Sequence, residues 1–206
     1  MITVVGKVRD VMGTDKELAI DDEQIITIIK IAENRIKKEL FEYRYDVVPD
    51  GNPDTGDTWN GTNTSFTVDE PIMDNDFDRD TTDDCEGYWL DSNYSVNTAS
   101  VVVSNARYGR ITIKQSNGTD PIPADAQNVY VSYYTADEYI PFAVMEDLGT
   151  LLTAHMISLR LTSPKKISMA DLESNRRFLE IRPTMFYDEY KELIRNYKTT
   201  PILATS

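Results

Sequence analysis

Apolar residues recur at three- and four-residue spacing at both ends of the chain, and alternate with polar ones through its middle. Val4, Val5, Val8, Val11 and Met12 fall at helical spacing and stop at Gly13, a residue suited to ending a helix. The next helix is the best marked. Asp21 stands as its N-cap with Gln24 three residues on, and Ile20 and Ile25 sit where a hydrophobic staple packs. Asp22 and Glu23 fill the first turn, where the helix dipole favours negative charge. Ile25, Ile28, Ile29, Ala32, Ile36 and Leu40 then make one apolar face that runs to about Tyr43, while Ile26 and Ile31 widen the stripe.

The pattern stops around Val47, Val48 and Pro49, and residues 49–64, rich in Gly, Asn, Asp and Thr, read as a loop. From Ser65 to Ile72 the chain alternates like a strand, with Phe66 and Val68 on one side, and Tyr88–Leu90 reads as a short strand. Ala99–Ser104 and Arg110–Lys114 form a predicted hairpin whose five-residue connection ends on Gly109, and Val129–Tyr134 alternates again. Helical spacing resumes at Tyr139, with Pro141 in the first turn, and carries Phe142, Met145, Leu148, Leu152, His155, Met156 and Leu159 to Leu161. A short helix from Ser168 to about Leu179 and a last one from about Thr184 complete the set. The tail Thr199–Ser206 reads as flexible. The predicted class is α+β: a mostly helical core of about four to five helices, residues 1–48 and 137–206, around a small antiparallel β lobe at 49–136.

Charge sharpens this division. The net charge is −14, and residues 46–91 hold one Arg against 14 carboxylates, a net −13. The flanks are ordinary neutral globular protein. Such a block repels phosphates, which disfavours a DNA grip through this lobe. The apolar runs are too short for a membrane span, and the charged N-terminus is unlike a signal peptide. A single cysteine, Cys85, excludes an intrachain disulfide and points to synthesis in a reducing, intracellular place.

The sharpest chemistry is Asp74-x-Asp76-x-Asp78-x-Asp80, followed by Asp83 and Asp84. Alternating carboxylates in a loop suit a hard cation such as Ca²⁺, and these four aspartates are the candidate ligands. The helix–loop–helix register is incomplete. Counting from Asp74, the turn glycine of position six is Arg79 and the closing glutamate of position twelve is Cys85. A solvated acidic surface without a cofactor is the simpler reading. Catalysis is not expected: His155 lies among apolar helix residues, Cys85 among carboxylates that hold its thiol protonated, and no phosphate-cradling loop or nucleophile elbow is present.

Taken together, Ile2–Met12, the acid-capped run Asp21–Ile36, and the strand-like Val101–Ile113 and Val129–Tyr134 resemble the head–tail adaptor (connector or head-completion) proteins of tailed viruses. Residues 46–100 are larger and more acidic than the usual insertion of that group. The resemblance implies a virion protein made in the host cytoplasm. It would form a ring with itself, commonly of twelve subunits, between the portal protein and a tail-side neck or tail-completion protein. DNA would pass through without specific binding, and no membrane would be involved. Ile26, Ile31, Phe142 and Met145 would then serve the subunit interface, and Thr199, Pro201, Ile202 and Leu203 the portal-docking tail. Two other readings stand beside it. A Ca²⁺-dependent β-rich binding module requires residues 49–136 to fold alone with metal. Another neck or tail-completion protein would keep the helices and change the docking partner.

Overall fold

The computed structural model of the chain describes residues 1–12, 20–51, 60–161 and 183–198. Two compact units result: Met1–Leu40 with Ile140–Ser206, and Phe41–Tyr139. The described helices are α1 (Val5–Met12), α2 (Asp22–Leu40), α3 (Phe142–Leu161) and α4 (residues 183–195). The Gly13 stop, the helix expected at Ser168–Leu179 and the tail from Thr199 lie outside the described residues.

In the helical unit, the Asp21 cap forms as its sequence dictates, the carboxylate accepting the Gln24 main-chain N–H at 2.8 Å. Ile25, Ile28 and Ile29 of α2 meet Val8 and Met12 of α1, Ala154 and Ile157 of α3, and Phe186 of α4 in one core. Each such buried aliphatic side chain contributes roughly 1.5–3 kcal/mol of transfer free energy. The N-terminal residues are held by hydrogen bonds as well as by packing. Buried Glu33 accepts the main-chain N–H groups of Ile2 at 3.0 Å and Thr3 at 3.2 Å. Thr3 in turn lies so close over Gly149 of α3 that a Cβ there would collide with its hydroxyl.

The other unit is a seven-stranded antiparallel sheet. Its strands are β1 (Glu42–Val47), β2 (Asp50–Gly51), β3 (Ser65–Thr67), β4 (Cys85–Leu90), β5 (Val96–Asn105), β6 (Arg110–Gln115) and β7 (Asn128–Thr135), in the order β1-β7-β4-β5-β6-β3-β2. Consecutive strands β1 and β2 therefore stand at opposite edges, joined only by Val48 and Pro49. Two residues reach roughly 10 Å between the strand ends, whereas six strand spacings in a flat sheet amount to about 29 Å. The sheet must curl until its edges meet. β5 makes one corner, pairing through Val96–Thr98 with β4 and through Ala99–Asn105 with β6. β1 itself is irregular: its register with β7 shifts between Arg44 and Val47, where Asp46 takes φ 56°.

The enclosed core is apolar, with Phe66, Ile72, Ile111, Ile113, Val129 and Val131 at its centre. Gly87 of β4 leaves room for the Val101 and Val131 side chains. At the β5–β6 turn, a 3₁₀ turn at Ala106–Tyr108 ends on Gly109, which takes the left-handed φ of 59°. There it accepts the Val68 N–H at 2.9 Å, and any Cβ would meet the Val68 and Glu70 carbonyl oxygens.

This corrects the expected class. The chain is not a mostly helical core carrying a small lobe: its four described helices share it with a half-barrel sheet that forms a unit of its own. The difference lies in the strands: Glu42–Val47 forms β1 where the helical face was expected to run to about Tyr43, Asp50–Gly51 forms β2 inside the expected loop, and β4 and β5 each begin three residues before the expected start.

Two glycine substitutions should therefore shift stability in opposite directions. Gly109→Ala combines a disfavoured φ with a main-chain clash and should destabilise by about 2 kcal/mol or more. Gly6→Ala, in α1 with open space around it, should stabilise by about 0.5–1 kcal/mol. Thermal unfolding of the two variants beside the parent chain checks both signs.

Candidate functional site

The acidic loop between β3 and β4 is anchored to the curled sheet at both ends. Ile72 N–H donates to Ala106 O and Met73 N–H to Tyr134 O, each at 2.8 Å, and Val103 N–H donates to Thr82 O at 2.9 Å. Ile72, Met73 and Phe77 are buried, and the Phe77 ring stacks on Phe41 at 6.0 Å. Apolar anchors thus hold a polar loop in one shape.

The carboxylates serve the loop's own backbone. Asp74, only 3% exposed, accepts main-chain N–H groups from Phe77 at 2.6 Å and Asp78 at 3.2 Å on Oδ1, and from Arg79 at 2.9 Å on Oδ2. Asp76 accepts from Asp78, Asp78 from Asp80, and Asp80 from Thr82, a run of Asx turns. The hydrogen bonds help hold Phe77 and Arg79 at φ 63° and 75°, where side chains other than glycine are uncommon. Carboxylate oxygens of Asp74, Asp76 and Asp78 converge to within 4.8 Å of one another. The fourth candidate, Asp80, stands outside that group, its carboxylate turned to Thr82, whose N–H holds its pKa below the usual carboxylate range.

Asp84 is the residue that sequence reasoning underrated. Its Oδ1 accepts both the main-chain N–H of Asn75 at 2.8 Å and its side-chain amide at 2.6 Å. Its Oδ2 is buried without a hydrogen-bond partner, in a residue 5% exposed. Burial pushes its pKa up to about 7; the Asn75 bond opposes this, and the charges of Asp74, Asp76 and Asp83 add to it. Burial likewise raises Asp74, against the pull of its three N–H donors. The sequence signal for Asp84 was its place at the end of the aspartate run that begins at Asp74. The adjoining Cys85 thiol is buried, and burial first, then Glu86 and Asp84, pushes it up to about 12.

The remaining sequence candidates are scattered. His155 donates from Nδ1 to Pro183 O at 2.7 Å and stacks on Tyr187 at 4.7 Å, while Tyr190 donates to Glu39 at 2.9 Å. Of the four interface candidates, Ile31 is 46% exposed, Ile26 and Phe142 are half-buried, and Met145 is buried within its own unit at 2%. The tail candidates Thr199, Pro201, Ile202 and Leu203 lie outside the described residues. Among the described residues, no helix is long and apolar enough to cross a membrane.

No family model matches the chain, and no curated protein matches it. A chain of a solved structure described as "Neck of empty GTA particle computed with C6 symmetry" aligns over 97% of this chain and 91% of its own, at 14% identity and a TM-score of 0.39. Likeness at that level assigns neither fold nor function.

The buried Asp84 carboxyl sets a pH dependence. Its folded pKa stands above the usual value of about 3.9, so between about 4 and about 7 the folded chain holds a proton that the unfolded chain has lost. That contribution to stability is full at low pH and lost as pH rises through 7. In calcium-free buffer, Asp84→Asn should therefore gain on the parent chain between pH 5 and pH 8, by on the order of 2 kcal/mol. Denaturant unfolding at the two pH values measures the gain.

Proposed function

We propose that the chain is a structural neck protein of a tailed-virus-like particle, a head–tail adaptor. It assembles with copies of itself into a ring between the portal and the tail-side proteins, and its site of action is the virion. The supporting observation is the order of units. The chain builds α1 and the acid-capped α2, leaves the helical unit after Leu40 for a complete sheet unit, and returns at Ile140 to build α3. That is the order implied by the adaptor resemblance carried by Ile2–Met12, Asp21–Ile36, Val101–Ile113 and Val129–Tyr134.

Physical chemistry favours the same role. Ile31 is an exposed aliphatic residue on a helix whose opposite face is already filled, and Val4, Leu159 and Met185 are further exposed apolar residues of the helical unit. Lateral packing of one subunit's patch on a different patch of the next closes a ring. The acidic run 46–91 disfavours phosphate contact, so DNA travelling past it is not held. The tail beyond Lys198 carries Pro201, Ile202 and Leu203 among small residues, a sequence suited to ordering against the portal.

Deleting Thr199–Ser206 should weaken co-sedimentation with a portal ring while leaving the melting temperature in place, and undiminished docking would refute the tail's role. Ile31→Asp should lower the sedimentation coefficient of the self-assembled species with a stability change inside about 0.5 kcal/mol, as for a surface position. An unchanged assembly would remove Ile31 from the interface.

A further inference from the structure

We propose that the outer face of β1, β7 and β4 binds an arginine-bearing segment of a partner protein. The guanidinium is held between the carboxylates of Asp46 and Glu86 and stacked on the tyrosine rings to either side. This goes beyond the neck reading and rests on none of it. Val129, Val131 and Tyr133 of β7 turn into the core, so Tyr130, Ser132 and Tyr134 face outward. Tyr43 stands opposite Tyr134 and Tyr88 opposite Tyr130, with ring centroids 4.7 and 5.1 Å apart. Tyr45 joins the first pair, 5.6 Å from Tyr43. The outer face of an antiparallel sheet ordinarily carries polar side chains, yet here Tyr43 is 41% and Tyr45 70% exposed. Between the two aromatic rows lies a polar one. Glu86 is the register partner of Ser132 on one side, and Asp46 meets it from the other, its main-chain N–H donating to Ser132 Oγ at 3.3 Å. Tyr88 donates its hydroxyl to Asp46 Oδ1 at 3.0 Å, which fixes that carboxylate beside the rings.

Charge, chemistry and size select the occupant. β1, β4 and β7 hold one cationic residue, Arg44, which lies opposite buried Tyr133 and is engaged by Glu42 at 2.6 Å and by Glu70 at 2.7 and 2.8 Å. The carboxylates of Asp46 and Glu86 therefore meet the rings on a face that calls for a positive partner. Tyrosine rings attract cations through their quadrupole, and a planar guanidinium can both stack on a ring and bond a carboxylate. The chain makes the ring contact elsewhere: in the helical unit, Arg35 and Lys191 lie 5.9 and 4.4 Å from the centre of the Tyr187 ring. The tyrosine rows span about 14 Å along β7 and about 10 Å across the three strands. That suits a peptide segment and falls well short of the ~800 Å² that each partner of a stable globular pair buries. A second copy would also bring residues 46–91, net −13, against their like, which opposes self-pairing through this face.

The test uses the full chain at about 150 mM salt, where exposed charges more than about 8 Å apart are largely screened. A dye-labelled hexapeptide of alternating arginine and serine is titrated by fluorescence anisotropy, beside its lysine and glutamate counterparts. The site predicts saturable binding of the arginine peptide, weaker binding of the lysine peptide and none of the glutamate peptide. Tyr45→Thr and Glu86→Gln, both at exposed positions, should each weaken the arginine peptide about threefold or more with the melting temperature in place. Asp125→Asn removes an equal charge from the exposed loop between β6 and β7 and should leave binding unaltered. No binding up to about 1 mM peptide would overturn the site. So would binding that survives both variants, or that Asp125→Asn weakens as much as Glu86→Gln does, since either marks diffuse attraction to an acidic surface. Loss of self-assembly in Tyr45→Thr without peptide binding by the parent chain would overturn it too, the occupant then being a second copy.

Discussion

The sheet unit depends on one covalent constraint: two residues, Val48 and Pro49, join strands at opposite edges of a seven-stranded sheet. Once those edges are drawn together, the inward faces of β3, β6 and β7 enclose Phe66, Ile111, Ile113, Val129 and Val131 in one core. Within the sheet β1 is the hydrogen-bonded neighbour of β7, so that Tyr43 opposes Tyr134 with ring centroids 4.7 Å apart.

Closure also explains how so much negative charge is carried in one stretch. The loop that follows β3 is tied to Ala106, Tyr134 and Val103, three points on the curled wall. With its ends fixed, its carboxylates can turn inward onto main-chain N–H groups, a stronger use of a carboxylate than solvation alone. Asp74 satisfies three such donors. Asp84 accepts two on Oδ1 and keeps Oδ2 buried without a partner.

Local signals were legible and non-local ones were not. The start of α2 could be read because a cap is a short-range device: Asp21 and Gln24 are three residues apart and bond to each other. The β5–β6 hairpin could be read for the same reason, from Ala99–Ser104, Gly109 and Arg110–Lys114. β1 could not. Glu42-Tyr-Arg-Tyr-Asp-Val47 follows α2 with no breaker, and its side chains stay largely exposed, so no burial alternation marks it. Its strand character comes from β7, nearly ninety residues away in sequence, which only the folded chain supplies. The candidate site divides in the same way. Asp74, Asp76 and Asp78 announce themselves by spacing, whereas the part played by Asp84 depends on Asn75 folding back across nine residues.

The functional account stands or falls on assembly, since a neck protein acts only as a member of a ring. Native mass spectrometry of the full chain, alone and mixed with a portal protein, tests this most directly. The account predicts a defined homo-oligomer, or a chain that becomes one on the portal, with a fixed number of copies per portal ring. A chain that stays strictly monomeric at every concentration and never associates with the portal would contradict it.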